Sequence, residues 1–170
     1  GYGATTKLFK KLFLQKPKLI IMVDCGSTSN EAIDFLNKNN ISSIIIDHHE
    51  INKPYPKSNV IINPKKEIDY AEYDYLCATT LTYFFIDIVI QKIKSNFKIF
   101  DFLIYVLLAT VCDVMPLRKF NKLIASHVIR NFQINDNLAF KFIFDQFKIK
   151  KKITVEDLGF LIGPIINSGG

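Results

Sequence analysis

The sequence contains no tryptophan, only three cysteines and two methionines, and few glycines and prolines for its 170 residues. Seven glycines and six prolines are too few for a collagen-like or low-complexity chain. Cys25, Cys77 and Cys112 are odd in number and include no Cys-x-x-Cys pair, which argues against a disulfide scaffold and a structural zinc site. Such cysteine usage indicates a reducing compartment, the cytoplasm.

Long hydrophobic runs are also missing. The longest apolar run without a charge extends from Phe102 to Cys112, and Asp101 and Asp113 bracket it. It falls short of the roughly 20 residues that a membrane-spanning helix needs. We therefore predict a buried helix here and no membrane partner.

The residues that are present favour a folded domain with a basic surface. Hydrophobic residues make up 49% of the chain, which excludes a disordered protein. The length corresponds to about one domain. Lys and Arg number 22 against 16 Asp and Glu, for a net charge of +6. A basic balance permits a polyanionic partner such as nucleic acid, although lysines also serve simply to solvate a surface.

The first third of the chain has the pattern of an α/β fold. Apolar segments of strand length, Lys18–Val23 and Ser43–Ile46, flank a helical segment at Glu31–Lys38, which predicts a βαβ unit with two buried parallel strands. Asn59–Ile62 is a third strand candidate. The remaining pattern is helical at about 76–93, 99–111, 119–131, 136–147 and 154–161. We predict a parallel-sheet, Rossmann-like core at about 1–75 and a mostly helical part at about 76–170 of one domain.

Acidic and imidazole side chains follow the first two predicted strands directly. Asp24 comes after the first strand, and the triplet of Asp47, His48 and His49 comes after the second. Ligands bind at the carboxyl ends of strands in open parallel sheets, and neighbouring strands lie about 5 Å apart. Two carboxylates and an imidazole at this edge suit Mn²⁺ better than Ca²⁺. The alternative is that these residues cap helices and turns.

Two later segments are weaker candidates. Asp113 ends the apolar helix, where a buried carboxylate is costly unless it is paired or bound to metal, and an exposed C-terminal turn is the alternative. Gly163–Gly170 has the composition of a flexible polar segment whose glycine backbone can approach a phosphate closely. A simple chain-end loop is the alternative for that segment.

Four segments in this order resemble motifs of the DHH phosphoesterase superfamily, and within it the RecJ-type single-stranded-DNA exonucleases. The resemblance covers nearly the whole chain, and Gly1-Tyr2-Gly3 is similar to a loop at the start of these proteins. The four segments are VDCGSTS (Val23–Ser29), DHH (Asp47–His49), ATVCDVMPL (Ala109–Leu117) and GPIINSGG (Gly163–Gly170).

The resemblance implies a two-metal site for Mn²⁺ or Mg²⁺ that hydrolyses phosphodiesters. Asp24, His48 and Asp113 would be metal ligands, with Asp24 bridging the two ions, and His49 would join them as a catalytic residue. The residues that would support the ligands or contact phosphate are Asp47, His49, Ser27, Asn167 and Gly169.

The implied function is the core of a cytoplasmic 5′→3′ exonuclease of DNA repair and recombination, with single-stranded DNA as partner. The family's first motif, of Asp-x-Asp type, has no counterpart in the sequence, and neither do the C-terminal domains. We therefore expect further N- and C-terminal segments of the same gene as partners, and little activity from the isolated chain.

Two alternatives remain from the sequence. One is a phosphoesterase of the same superfamily that acts on oligonucleotides or cyclic dinucleotides. The other is a non-catalytic remnant that binds nucleic acid through its lysine clusters at Lys10-Lys11, Lys65-Lys66 and Lys148–Lys152. A steep salt dependence of binding without metal dependence would indicate the remnant. An unrelated α/β domain is the least favoured interpretation.

Overall fold

The computed structural model describes residues 3–169, in two compact units, Gly1–Val89 and Ile90–Gly170. Gly1 and Tyr2 of the N-terminal motif and Gly170 of the last motif lie outside the described residues. The first unit contains α1 (Thr6–Phe13), β1 (Leu19–Val23), α2 (Asn30–Lys38), β2 (Ser42–Ile46), β3 (Val60–Ile62) and most of α3 (Ala78–Lys92). The second contains α4 (Leu103–Cys112), α5 (Lys119–Asn131), α6 (Leu138–Gln146), α7 (Val155–Asp157) and α8 (Gly163–Ser168).

The three strands form one parallel sheet in the order β1-β2-β3. Val23 pairs with Ile46, and Ile46 pairs with Ile62, so that all three strands end at the same level. The predicted α/β class and the predicted βαβ unit are confirmed. Because the carboxyl ends are aligned, the residues that follow the strands emerge along one edge of the sheet.

The core of the first unit lies between α1, α2 and one face of the sheet. Phe9 of α1, Ile33 and Leu36 of α2, and Met22 and Ile45 of the sheet are all buried in one cluster. In β1 the partly buried Ile20, two positions before Met22, packs against the same cluster, as the two-residue period of a strand requires. The two helices α1 and α2 thus pack against one face of the sheet.

The first strand is less buried than its composition predicts. Leu19, Ile21 and Val23 are 46%, 46% and 42% exposed, and Met22 is the only buried residue of β1. The prediction of a wholly buried strand was therefore wrong for β1. The reason is its place at the edge of the sheet, where alternate side chains point away from the face that α1 and α2 cover.

The second unit is built around the predicted apolar helix. In α4, Ile104, Val106 and Leu107 are buried, and α4 packs against α5. Phe140 of α6 and Leu158, just after α7, are also buried in this unit. Over the described residues, no helix combines the length and apolar character that crossing a bilayer requires.

The segment from Gly163 onward is helical, which corrects the prediction of a flexible polar loop. It forms α8, with Pro164 in the first turn, where the fixed φ of proline suits a helix and its missing N–H is not needed. Gly163 lies so near the end of α4 that a Cβ there would come within 2.6 Å of Cys112 Sγ. This close approach explains why position 163 is occupied by glycine.

We expect the Asp157→Ala variant to unfold more easily by about 1 kcal/mol, because it removes a capping box. Thr154 Oγ1 accepts from the Asp157 amide, and Asp157 Oδ2 accepts from the Thr154 amide at 2.9 Å. The experiment is urea denaturation at several pH values, with the exposed Asp145→Ala variant as control.

The stabilisation that Asp157 provides should decrease as the pH falls. Burial raises the pKa of Asp157, but hydrogen bonds from Lys151 and Thr154 outweigh it and leave that pKa below its ordinary value. The unfolded chain therefore takes up the proton first as the pH falls, so the contribution of Asp157 starts to decrease near the ordinary Asp pKa and is lost as the pH drops through the lowered pKa of the folded state. A difference between wild type and Asp157→Ala that stays constant through this acidic range would contradict the expectation.

Candidate metal centre

Asp24 leaves the end of β1 in a left-handed backbone conformation. Its φ is +62°, which is uncommon outside glycine but tolerated by Asp, and its amide donates to Ile46 O at 2.9 Å. Gly26 follows at φ +114°, with the side chain of Ile45 only 3.1 Å from where a Cβ would stand. This tight turn directs the Asp24 carboxylate back over the end of the sheet.

Asp24, His48 and His49 converge at this edge, and we call them the donor trio. Their donor atoms all lie within 4.8 Å of one another. Asp24 Oδ1 is 3.2 Å from His48 Nε2 and 3.9 Å from His49 Nδ1. The side chain of His48 is 13% exposed, whereas Asp24 and His49 are 52% and 61% exposed. A ligand can therefore reach the trio from solvent.

Asp47 lies beneath the trio and is 1% exposed. Its Oδ2 accepts from the Ser27 amide at 3.0 Å, and its Oδ1 accepts from the His48 amide at 2.8 Å. Burial raises the pKa of Asp47, but hydrogen bonds from Ser27 and His49 outweigh it and bring that pKa to about 2. The carboxylate is thus ionised at neutral pH and organises the loop after β2.

The same carboxylate orients the His49 ring. His49 Nδ1 lies 2.7 Å from Asp47 Oδ1, a charge-assisted hydrogen bond in which the ring N–H donates to the carboxylate. The lone pair of the neutral ring is then on Nε2. Such a carboxylate–imidazole pair fixes the tautomer and raises the basicity of the other nitrogen.

Asn63, the residue directly after β3, supports the centre although it belongs to none of the four motifs. It is buried, and its Nδ2 donates to Ser27 Oγ at 2.8 Å and to His49 O at 2.9 Å. It thereby ties the end of β3 to the loops after β1 and β2. The available signal was its place after the third strand, level with Asp24 and Asp47.

Cys25 directly follows Asp24 and is partly buried. Burial raises the pKa of its thiol first, and the negative charges of Asp47 and Asp24 raise it further. The thiol is therefore protonated at neutral pH when no metal ion is bound. All three cysteines of the chain are free.

Asp113 and Asn167, predicted as a ligand and a phosphate contact, belong to the second unit. Both line one cavity of about 730 Å³ between the end of α4 and α8. Asp113 is exposed and caps α4, and the next residue, Val114, has a φ of +55°, which is strained for a β-branched side chain. Gly169 caps α8. The joint ligand set of Asp24, His48 and Asp113 stays a prediction.

The donor trio fits a small divalent ion. Ligand atoms on one octahedral ion about 2.1 Å away are about 3 Å apart, close to the separation of Asp24 Oδ1 and His48 Nε2. One carboxylate oxygen with imidazole nitrogens is a donor set for Mn²⁺ and similar ions rather than for Ca²⁺. Asp24 and His48 can therefore hold one ion as they stand, whereas His49 would join them through Nε2, because its Nδ1 is bonded to Asp47.

Comparison with known proteins gives one family for this architecture. The sequence profile described as "DHH family, N-terminal domain" matches residues 4–110. The single-stranded-DNA-specific exonuclease RecJ of Haemophilus influenzae is 25% identical over the whole chain, which covers 31% of that protein. The exonucleases of the same name from Escherichia coli and Bacillus subtilis are 23% and 22% identical, with 32% and 21% covered. The chain thus spans a third or less of these relatives.

Solved structures agree on the fold. RecJ from Thermus thermophilus in complex with Mn²⁺ superposes with a TM-score of 0.79 over 96% of this chain and 24% of that one, at 19% identity. An exonuclease RecJ bound to manganese gives a TM-score of 0.82 over 99% of this chain and 42% of the other, at 20% identity. At these identities the likeness establishes the fold alone.

Proposed function

The chain belongs to the DHH family, and from this premise we propose that it forms the metal-binding core of an exonuclease that hydrolyses single-stranded DNA. The observation that carries the proposal is the donor trio, whose three side chains come from two strand ends and meet within 4.8 Å. The three side chains lie at the carboxyl ends of parallel strands, which is where open α/β sheets bind their ligands.

The reaction is hydrolysis of a phosphodiester. A bound Mn²⁺ or Mg²⁺ would lower the pKa of the attacking water and neutralise charge on the phosphate. Asp24 Oδ1 and His48 Nε2 supply an anionic and a neutral donor for one ion. Asp47 accepts a hydrogen bond from Nδ1 of His49, which leaves Nε2 of His49 as the nitrogen that would bind an ion or a phosphate oxygen.

Further parts of the centre are proposed on the order of the motifs. Asp113 would add a second carboxylate and Asn167 a phosphate contact, and both line the same cavity of the second unit. A second ion, bridged by Asp24, would complete a two-metal site. Ser27 acts through Asp47, since its amide donates to that carboxylate and its side chain is buried.

The substrate and setting follow from the named relatives, which act on single-stranded DNA. We propose 5′→3′ digestion, a role in DNA repair and recombination, and a cytoplasmic location, which three free cysteines also suit. Since the chain spans a third or less of those relatives, full activity would require further segments, with the 170 residues as one working part.

The test is an assay with end-labelled single-stranded DNA, on the 170-residue chain and on the longest in-frame polypeptide that contains it. We expect the longer polypeptide to release nucleotides from the 5′ end with Mn²⁺ and to stop in EDTA. The chain alone should bind Mn²⁺ but release little.

Three outcomes would contradict the proposal. Hydrolysis that survives EDTA would exclude the metal role. Faster cleavage of dinucleotides or cyclic dinucleotides than of long strands would favour the related phosphoesterases. Binding of single strands that falls steeply with salt, with no uptake of Mn²⁺, would identify a non-catalytic nucleic-acid-binding remnant.

A further inference from the structure

We propose that a cavity beside the metal centre receives one unpaired base of the strand being cut, and so selects single-stranded over double-stranded DNA; this inference rests on the proposed function. The cavity has a volume of about 460 Å³ and lies wholly in the first unit. Its lining includes Ile62, Asn63, Tyr70, Tyr73 and Phe84. We call it the tyrosine cavity.

The cavity is physically joined to the metal centre through Asn63. This residue lines the cavity, and its side-chain amide donates to the backbone of His49 at 2.9 Å. The cavity is therefore adjacent to the loop that carries His49, and a strand whose phosphate lies on the donor trio would run on toward it.

The lining suits a nucleobase better than a purely aliphatic ligand. Tyr70 and Tyr73 lie on a short 3₁₀ turn and are 54% and 45% exposed, although both are large aromatic residues. Aromatic faces bind bases by stacking, which every base permits. A base in a duplex is paired and stacked and cannot enter such a cavity without leaving the helix, at a cost in free energy.

Positive charge lies at the rim where the sugar–phosphate backbone would pass. The ammonium groups of Lys53 and Lys66 lie 5.9 and 5.6 Å from the ring centroid of Tyr55, whose hydroxyl donates to Lys66 O at 2.6 Å. Of these residues Lys66 lines the cavity, so at least one of the two cations lies at its rim. Two carboxylates oppose them: that of Glu67 lies 3.4 Å from Lys66 Nζ, and that of Glu72 hydrogen-bonds Tyr73.

The experiment measures binding of the 170-residue chain in EDTA by fluorescence anisotropy, with oligo(dT) and an abasic oligomer of equal length. We expect Tyr70→Ala with Tyr73→Ala to weaken oligo(dT) binding about tenfold and to leave abasic binding unchanged. The matched Tyr→Phe pair keeps the stacking surface and should bind as wild type. Phe142→Ala removes an exposed aromatic residue that does not line the cavity.

Charge variants give a second readout. Lys66→Gln should weaken binding of both oligomers and reduce the salt slope by about 0.7, as for one phosphate contact on a single strand. Glu67→Gln should strengthen binding of both. Circular dichroism of each variant checks that the chain is folded.

Failure of this inference is distinguishable from failure of the proposed function. If the Tyr→Ala pair binds oligo(dT) as wild type does, or if the abasic oligomer binds equally tightly, the base-binding role is overturned while Mn²⁺ uptake still stands. If oligo(dT) does not bind at all, the inference also fails. If Mn²⁺ is not taken up but the tyrosines still govern binding, the cavity stands and the hydrolase does not.

Discussion

Replacing Asp24 by Asn lowers the affinity of the chain for Mn²⁺ by roughly a hundredfold or more, which is the largest effect expected of any single change. Substitution of outer partners of metal ligands already costs about 10- to 100-fold. Asp24 is the only carboxylate of the donor trio, and without it two neutral imidazoles remain. Asn also tolerates a positive φ, so the turn at +62° should survive.

The measurement is Mn²⁺ titration followed by electron paramagnetic resonance of the free ion, with the melting temperature as a second readout. Wild type should gain stability as Mn²⁺ rises, because the ion binds only the folded state, and Asp24→Asn should gain almost none. Asp34→Asn, an exposed residue of α2, is the matched control. Equal Mn²⁺ affinity in wild type and Asp24→Asn would exclude Asp24 as a ligand.

Removing the Asp47 carboxylate is expected to cost about 3 to 5 kcal/mol of unfolding free energy, measured without metal. The amides of Ser27 and His48 both donate to this buried group, and Asp47→Ala leaves them without an acceptor. The His49 ring also loses the partner that orients it. Since a small unit is stable by only about 5 to 15 kcal/mol, this one change threatens the fold around the centre.

Denaturation in urea gives the magnitude, and hydrogen exchange gives the location. We expect the Ser27 and His48 amides to exchange faster in Asp47→Ala, and Asp47→Asn, which keeps one acceptor oxygen, to lose less stability. Asp34→Ala is the exposed control. A loss below about 1 kcal/mol in Asp47→Ala, within the range of ordinary surface substitutions, would mean that these hydrogen bonds do not hold the loop.

Much of the fold was predictable because its signals are local. The apolar strand at 19–23, the helical spacing of α2 and the capping residues Thr154 and Asp157 are each apparent within a few neighbouring residues. The burial of β1 was not predictable in this way. An apolar strand has the same composition at the edge of a sheet as at its centre, and only the strand order distinguishes the two.

The residues of the candidate centre were likewise predictable only where their signal lies in neighbouring residues. Asp24 and the Asp47–His49 triplet were predicted from their place after two strands, since parallel strands end at a common edge. The support from Asn63 was not, because it joins residues 36 positions apart through a side-chain amide. The expectation of a flexible polar segment was also wrong for residues 163–168, which form a helix whose Gly163 lies close to Cys112.

The sequence alone determined the α/β class, the family of motifs and the residue types at the centre. Hydrophobic periodicity and the polar residues that follow each strand can both be identified from consecutive residues. Only the tertiary structure decided which nitrogen of His49 faces Asp47, which face of β1 is exposed, and that two tyrosines after β3 line a cavity joined to the centre. Those features depend on contacts between distant segments, and such contacts form only when the chain has folded.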